Sequence, residues 1–264
     1  MSFKNKVIWI TGASSGIGRA LAIELAQQKV KLILSSRTKE ELERVKKKCA
    51  NFSEVQILPL DLEDYTNLQE KVDKAIAFFD KVDILVNNGG ISQRSLAIDT
   101  QISVDKRLMD INYLGTVALS KALLPHFIKN KKGQFVVTTS IVGKIGAPLR
   151  SSYAASKHAL HGFFDSLRAE QYKNNIFVTL VCPGFVNTNI SLNALTGDGT
   201  PQKKMDTATK NGIRPERFAK LMTHAILNKK EEVYIAGAKE KFGVYVKRLF
   251  PRLFSKMIRK LRVT

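Results

Sequence analysis

Seven short apolar runs, at residues 6–10, 31–36, 55–60, 82–87, 134–139, 177–182 and 232–236, recur along the 264-residue chain with helix-length stretches between them. Each run is apolar at consecutive positions, whereas a strand with one wet face would alternate. Strands of this kind must be covered on both faces, and the intervening helices supply the cover. The pattern predicts an α/β fold, a doubly wound seven-stranded parallel sheet with helices on both faces. Ligands of such sheets bind beyond the carboxyl ends of the strands, so the residues just after each run hold the chemical information.

The composition, 44% hydrophobic and 25% charged, is that of a globular domain. Two cysteines, Cys49 and Cys182, fall in a helix and at a strand end, which argues for a reducing compartment without a disulfide framework. The start, MSFKNKVIWITG, turns polar too early for a signal peptide or a membrane span, so a cytoplasmic location is expected. Histidines 126, 158, 161 and 224 show no ligand spacing, and no metal site is expected. The net charge of +20 is concentrated at the end, where residues 239–264 carry nine lysines or arginines against one acid. A single nucleotide-binding domain over 1–238 followed by a basic extension over 239–264 fits this distribution.

The first run ends in TGASSGIG, with Gly12, Gly16 and Gly18 ahead of an apolar helix pattern and Ser14, Ser15 and Ile17 inside the turn. Glycines here give a tight turn and let the backbone approach a pyrophosphate at the helix N-terminus; the spacing is TGxxxGxG, not GxGxxG, and the strand before it and helix after it favour nucleotide binding over a generic glycine turn. At the end of the second run stand Ser36 and Arg37, where a carboxylate would hold an unmodified ribose and an arginine would hold a 2′-phosphate. NADP(H) is therefore expected, unless Arg37 is only a solvated cation. Asp61 and Leu62 follow the third run, and Asp61 reads either as a cofactor contact or as the N-cap of the next helix. Asn87-Asn88-Gly89-Gly90 follows the fourth, as a close cofactor approach or a plain Asn-Gly turn.

The stretch YAASK sets Tyr153 four residues before Lys157, on one face of a helix. A phenol with the usual pKa of about 10 is a poor proton shuttle near neutrality, and bringing one to ~7 takes about 4 kcal/mol, which an adjacent cation supplies. Ser140 ends the fifth run, placed to polarise a carbonyl or merely to start a turn. Asn112, in LMDINYLGT, is either a water-holding residue of a proton relay or an exposed helix-surface asparagine. Pro183, Gly184, Val186 and Thr188 follow the sixth run.

In their order over residues 7–190 these features resemble the short-chain dehydrogenase/reductase family, and NNGGISQRSL, NYLGTVALSKALLPH and YAASKHALHGFF are similar to its dehydrogenase/reductase member seven branch. The resemblance implies a catalytic tetrad of Asn112, Ser140, Tyr153 and Lys157. Asp61 would then contact the adenine, Lys157 a ribose hydroxyl, and Thr188 the nicotinamide carboxamide. The family form of the fourth-strand motif is Asn-Asn-Ala-Gly, so Gly89 is a departure expected to loosen that loop slightly. The implied reaction moves a hydride between nicotinamide and a carbonyl or alcohol carbon of a lipophilic substrate such as a steroid, retinoid or lipid ketone, beneath a mobile lid over about 189–215. A 3-oxoacyl thioester reductase would use the same residues, and a non-catalytic membrane or nucleic-acid adaptor would account for the basic tail but not for the tetrad.

Relatives pair through the tetrad-bearing helices, so a homodimer or homotetramer is expected, with Leu108, Ile111, Leu119, Leu123, Leu160, Phe163, Phe164 and Leu167 as the apolar residues of those helices. In the tail, Phe242, Tyr245, Val246, Leu249, Phe250, Leu253, Phe254, Met257, Ile258 and Leu261 recur every three or four residues with Lys247, Arg248, Arg252, Lys256, Arg259, Lys260 and Arg262 between them. Pro251 should split this pattern into two short helices. Such a segment either closes the core or a dimer interface with its basic face solvated, or lies on an anionic membrane surface, and no specific nucleic-acid partner is expected.

Overall fold

Apolar residues on both faces of each strand give two cores. The structure, a computed structural model, describes residues 2–260. Its strands are β1 (Val7–Thr11), β2 (Lys31–Ser35), β3 (Glu54–Ile57), β4 (Ile84–Asn87), β5 (Gly133–Thr138), β6 (Ile176–Pro183) and β7 (Glu232–Ile235), all parallel in the order β3-β2-β1-β4-β5-β6-β7. Each matches one apolar run. The largest difference is at β3, which ends at Ile57, although Leu58 N and Leu60 N still donate to Leu34 O and Ser36 O at 2.9 and 3.0 Å on either side of Pro59, whose missing N–H faces the open edge of the sheet. The strand order reverses between β1 and β4, and that switch point opens the crevice in which ligands of this fold bind.

Along β1, Ile8 and Ile10 pack to one side with Leu21 and Leu25 of α1 (Gly16–Ala26), Leu42 and Val45 of α2 (Lys39–Cys49), and Phe218 of a helix near the C-terminus. Val7 and Trp9 pack to the other side with Val72 of α3 (Leu68–Ala77) and with the long helices between β4 and β6. The indole N–H of Trp9 donates to Ser35 Oγ at 2.8 Å, so this buried ring keeps a polar partner. Phe135 of β5 sits between Phe127 and Phe164, with ring centroids 4.9 and 6.2 Å away, and its truncation to alanine would cost about 3–5 kcal/mol.

After β4 come α4 (Ile102–Met109), one π-helical turn (Asp110–Leu114), and α5 (Gly115–Lys129); α6 (Ser151–Glu170) lies between β5 and β6. Of the residues named above for pairing, Leu108, Ile111, Leu119, Leu123, Leu160, Phe164 and Leu167 are buried within the subunit, and Phe163 is partly open. A short α7 (Thr207–Lys210) and then α8 (Pro215–Leu227), which carries Phe218, lead to β7.

The basic extension forms α9 (Ala238–Leu249) and α10 (Pro251–Ile258), broken at Phe250 with Pro251 opening the second helix. Val246 and Phe254 are buried against Ile141, Val142, Ile145 and Cys182, so the pair is docked on the domain. Phe242, Tyr245, Leu249, Phe250, Leu253 and Met257 remain exposed. Leu261 and Arg262 lie outside the described residues. No helix among the described residues is long and apolar enough to cross a membrane.

Candidate active site

One cavity of about 590 Å³ runs along the carboxyl ends of the strands, from Arg37 and Asp61 at one end to Ser140, Tyr153 and Leu195 at the other. At the first end the chain leaves β1 through Gly12 and Gly16, both in the left-handed region with φ of +62° and +51°. A Cβ on Gly18 would stand 2.2 Å from Gly12 O, and one on Gly12 would stand 2.8 Å from Gly89 Cα. Ser15 precedes α1 in extended conformation and makes no side-chain cap, so the first amides of the helix suit a phosphate. Ser14, Ser15 and Ile17 line the cavity beside it. This backbone cradle, which any side chain would fill, fits a dinucleotide.

The cradle is braced from β4. Thr11 Oγ1 accepts from the amides of Asn88 and Gly89 at 3.0 Å, and Asn88 Nδ2 donates to Thr11 O at 3.2 Å and Gly12 O at 3.3 Å. A Cβ on Gly89 would meet Leu62 Cδ1 at 2.7 Å, so glycine in place of the family alanine lets Leu62 close on the loop. Arg37 is exposed at the rim. Asp61 is half-buried and accepts from Glu63 N at 3.0 Å. It is not a helix N-cap, because α3 begins only at Leu68, after Asn67. Thr188 lies over the glycine turn, where a Cβ on Gly16 would approach its Cγ2 to 3.2 Å. Pro183, Gly184 and Val186 line the cavity between that turn and the reacting end.

At the reacting end, Lys157 is buried on α6 and donates to Thr138 O at 2.9 Å. Burial pushes its ammonium down to about 8, still mostly charged at neutral pH. Its Nζ lies 5.9 Å from the centroid of the Tyr153 ring. Ser140 opens a 3-10 turn (Ile141–Gly143), and its oxygen accepts from Val142 N at 3.2 Å, so the hydroxyl proton remains to be donated.

Asn112 is fully buried, which overturns the exposed-surface reading. It sits in the π turn, where the widened helix turns it inward: its Oδ1 accepts from Ile91 N at 2.8 Å and its Nδ2 donates to Ile91 O and Ser156 Oγ at 3.0 Å. A Cβ on Gly90 would come within 2.8 Å of that amide oxygen and 3.5 Å of Lys157 Nζ, so Gly90 also stands close to the tetrad side chains.

Sequence reasoning missed three side chains here. Gln93, fully buried, accepts the amides of Ser152 and Tyr153 through Oε1 at 2.9 and 3.2 Å and so caps the helix that carries the phenol. Arg94 donates through Nε and Nη2 to Asp206 Oδ2 at 2.9 and 2.6 Å, and Arg150 Nη2 stands 3.7 Å from the same oxygen. Arg150, which lines the cavity, follows Leu149, whose φ of +64° is rare for a residue with a bulky side chain and costs on the order of 1 kcal/mol.

The segment over 189–215 covers this end and is fastened to it. Leu195 N donates to Ser92 O and Arg94 N to Leu195 O, each at 2.8 Å, and Asp206 completes the ion pair. From the tail, Glu240 accepts the amide of Phe185 at 2.8 Å and bonds Gly237 N, so α9 holds the loop after β6.

Behind the site His161, Cys182 and Glu232 come together, a grouping that the histidine spacing did not announce. His161 Nε2 is 3.8 Å from Cys182 Sγ, and His161 Nδ1 is 3.5 Å from Glu232 Oε2. The two ring nitrogens thus face different partners. Lys144 pairs with Glu232 at 2.6 Å, and burial pushes the Cys182 thiol up to about 12. A protonated thiol and a lysine-paired carboxylate are poor metal ligands, and the group reads as a buried brace.

Residues 6–198 match the family model described as short chain dehydrogenase. The chain is 44% identical over 261 residues to a dehydrogenase/reductase SDR family protein 7-like of Anopheles gambiae, covering 97% of this chain and 82% of that one. It is 46% identical to the human dehydrogenase/reductase SDR family member 7, over 87% of this chain and 70% of that one. Among solved structures, a short chain dehydrogenase/reductase from Burkholderia phymatum in complex with NAD superimposes with a TM-score of 0.84 at 24% identity, covering 96% of both chains.

Proposed function

The chain belongs to the short-chain dehydrogenase/reductase family, and from that premise we propose that it is an NADP(H)-dependent oxidoreductase interconverting a lipophilic carbonyl compound and its alcohol. The observation that carries the reading is the placement of Tyr153 beside Lys157 at one end of a cavity whose other end is a glycine cradle. A bound nicotinamide dinucleotide supplies or accepts the hydride. Ser140 Oγ and Tyr153 Oη hydrogen-bond the carbonyl oxygen, and Tyr153 gives its proton to that oxygen as the carbon is reduced. Lys157 stabilises the phenolate that remains, and its bond to Thr138 O fixes its position. Alcohol oxidation runs the same proton backwards.

Preference for NADP(H) is supported by Ser36 and Arg37 at the end of β2, where a carboxylate would repel a 2′-phosphate. A lipophilic substrate is supported by Ile91, Phe185, Ile190 and Leu195 around the reacting end. The test is Tyr153→Phe, which should lower turnover by roughly 10²–10⁴ while leaving cofactor affinity within about twofold. Retained turnover sinks the reading.

We also propose that α9 and α10 lie on anionic membrane from the cytoplasmic side. The one acid of the tail, Glu240, points inward to Phe185, so the outward surface presents exposed aromatic and aliphatic side chains among cations only.

A further inference from the structure

Two arginines meet at the substrate end of the cavity, and no step of the proposed reaction uses them. Side-chain exposure is 4% for Arg94 and 9% for Arg150, so both are held away from bulk water. Both line the cavity, whereas Asp206, the carboxylate that contacts them, lies behind them and does not. Asp61 is the sole carboxylate among the described lining residues, and it belongs to the far end, after β3. The cavity wall at the Tyr153 end therefore contains two arginines and no acid.

The two cations are built in. Arg94 is oriented by Asp206 and by donation from Nη1 to Ser92 Oγ at 2.8 Å and Gln93 O at 2.5 Å. Arg150 lies over the Phe185 ring at 5.4 Å and heads α6 three residues before Tyr153. Burial first, and then repulsion from Arg94, push its guanidinium down to about 10 against the opposing pulls of Tyr153 and Asp206. A neutral ketone would do nothing to relieve this. An oxyanion would, through charge-assisted hydrogen bonds in a site shielded from water.

We propose that Arg94 and Arg150 form an anion-recognition subsite and that the substrate is a carbonyl compound bearing a carboxylate or phosphate near its reacting carbon. This rests on the carbonyl-reductase reading above and narrows its substrate class. Arg150 and Tyr153 line the same end of the cavity, so the anion lies on the reacting side of the substrate, and the lipophilic remainder extends toward Ile190 and Leu195.

The test compares benzoylformate and 4-oxo-4-phenylbutanoate with their methyl esters, and phenacyl phosphate with 2-hydroxyacetophenone, under NADPH. The wild type should favour at least one anion over its neutral counterpart by about tenfold or more in kcat/KM. Arg150→Gln should remove that preference by lowering the anion's value roughly 10- to 100-fold with little change for the neutral compound, and Arg150→Lys should restore part of it. Preference for the carboxylate over the phosphate, or the reverse, identifies the anion. Equal rates for acid and ester in the wild type overturn the subsite, as does an equal fall for both in Arg150→Gln, which would make the arginines a latch for the covering segment. If no ketone is reduced although NADPH binds, the carbonyl-reductase reading fails. The subsite is then decided by heat: benzoate and phenyl phosphate should raise the melting temperature of the wild-type cofactor complex and not that of Arg150→Gln, and equal shifts in both refute it.

Discussion

The two ends of the cavity are made differently. The cofactor end is backbone: Gly12, Gly18 and Gly89 fit one another because each lacks a Cβ, Gly16 leaves room for Thr188, and most of these glycines lie within a few residues in sequence. The substrate end is side chain: Arg94, Arg150 and Asp206 arrive from three separate segments, and the Arg94–Asp206 pair spans 112 positions. A backbone site is specified locally and resists change in its surroundings. A side-chain site depends on long-range docking, which makes it adjustable and easier to damage.

The difference can be broken most sharply at Gly18. Gly18→Ala places a Cβ against Gly12 O, and cofactor affinity should fall by 100-fold or more in a fluorescence titration while circular dichroism stays native. At the other end, Asp206→Asn leaves two buried guanidinium groups facing each other and should destabilise the fold by about 3–5 kcal/mol. Chemical denaturation measures that loss, and cofactor affinity should be unchanged if the ends are independent. Arg37→Asp should shift the NADPH-to-NADH ratio of kcat/KM by roughly 10- to 100-fold toward NADH. A wild type that already prefers NADH would make Arg37 a solvated charge.

A pH profile separates the ends again. Lys157 has a folded pKa of about 8, below its ordinary value, so the ammonium is present below that pH and is lost above it. Reduction should therefore slow as pH rises through about 8, by up to about tenfold per unit, and Arg37→Asp should leave that limb in place. The smallest effect belongs to the tail. Truncation would uncover the core that Val246 and Phe254 bury, so the informative change is Phe250→Glu with Leu253→Glu on the exposed side. Sedimentation with anionic vesicles should drop several-fold and be salt-sensitive in the parent, with turnover on a soluble substrate retained. Equal sedimentation refutes membrane contact, and dimer dissociation in light scattering would assign the face to a second copy.

This contrast also explains what could be read from the sequence. The sheet was legible because continuous apolarity is a local pattern, and the glycine turn because strand, turn and helix are adjacent. Asp61 left a choice that depended on where α3 starts, and Asn112 could not be placed because a π turn rotates a residue inward without changing apolar spacing. Gln93 and Arg150 looked like ordinary polar residues; only the fold brings Gln93 Oε1 to the start of α6 and puts Arg150 above Phe185.

The bond from Glu240 to Phe185 has a consequence for the order in which the protein is made. The two residues are 55 positions apart, with Phe185 emerging first. At a synthesis rate of ~5–20 residues per second, the loop waits roughly 3–11 seconds for its carboxylate. During that interval the cradle glycines Gly12 to Gly89 are already made, but Phe218, which packs with α1, and the carboxylate that fixes the loop after β6 are not. Both ends of the cavity therefore wait for the last fifth of the chain, and a chain cut before Glu240 should leave the loop after β6 without its anchor.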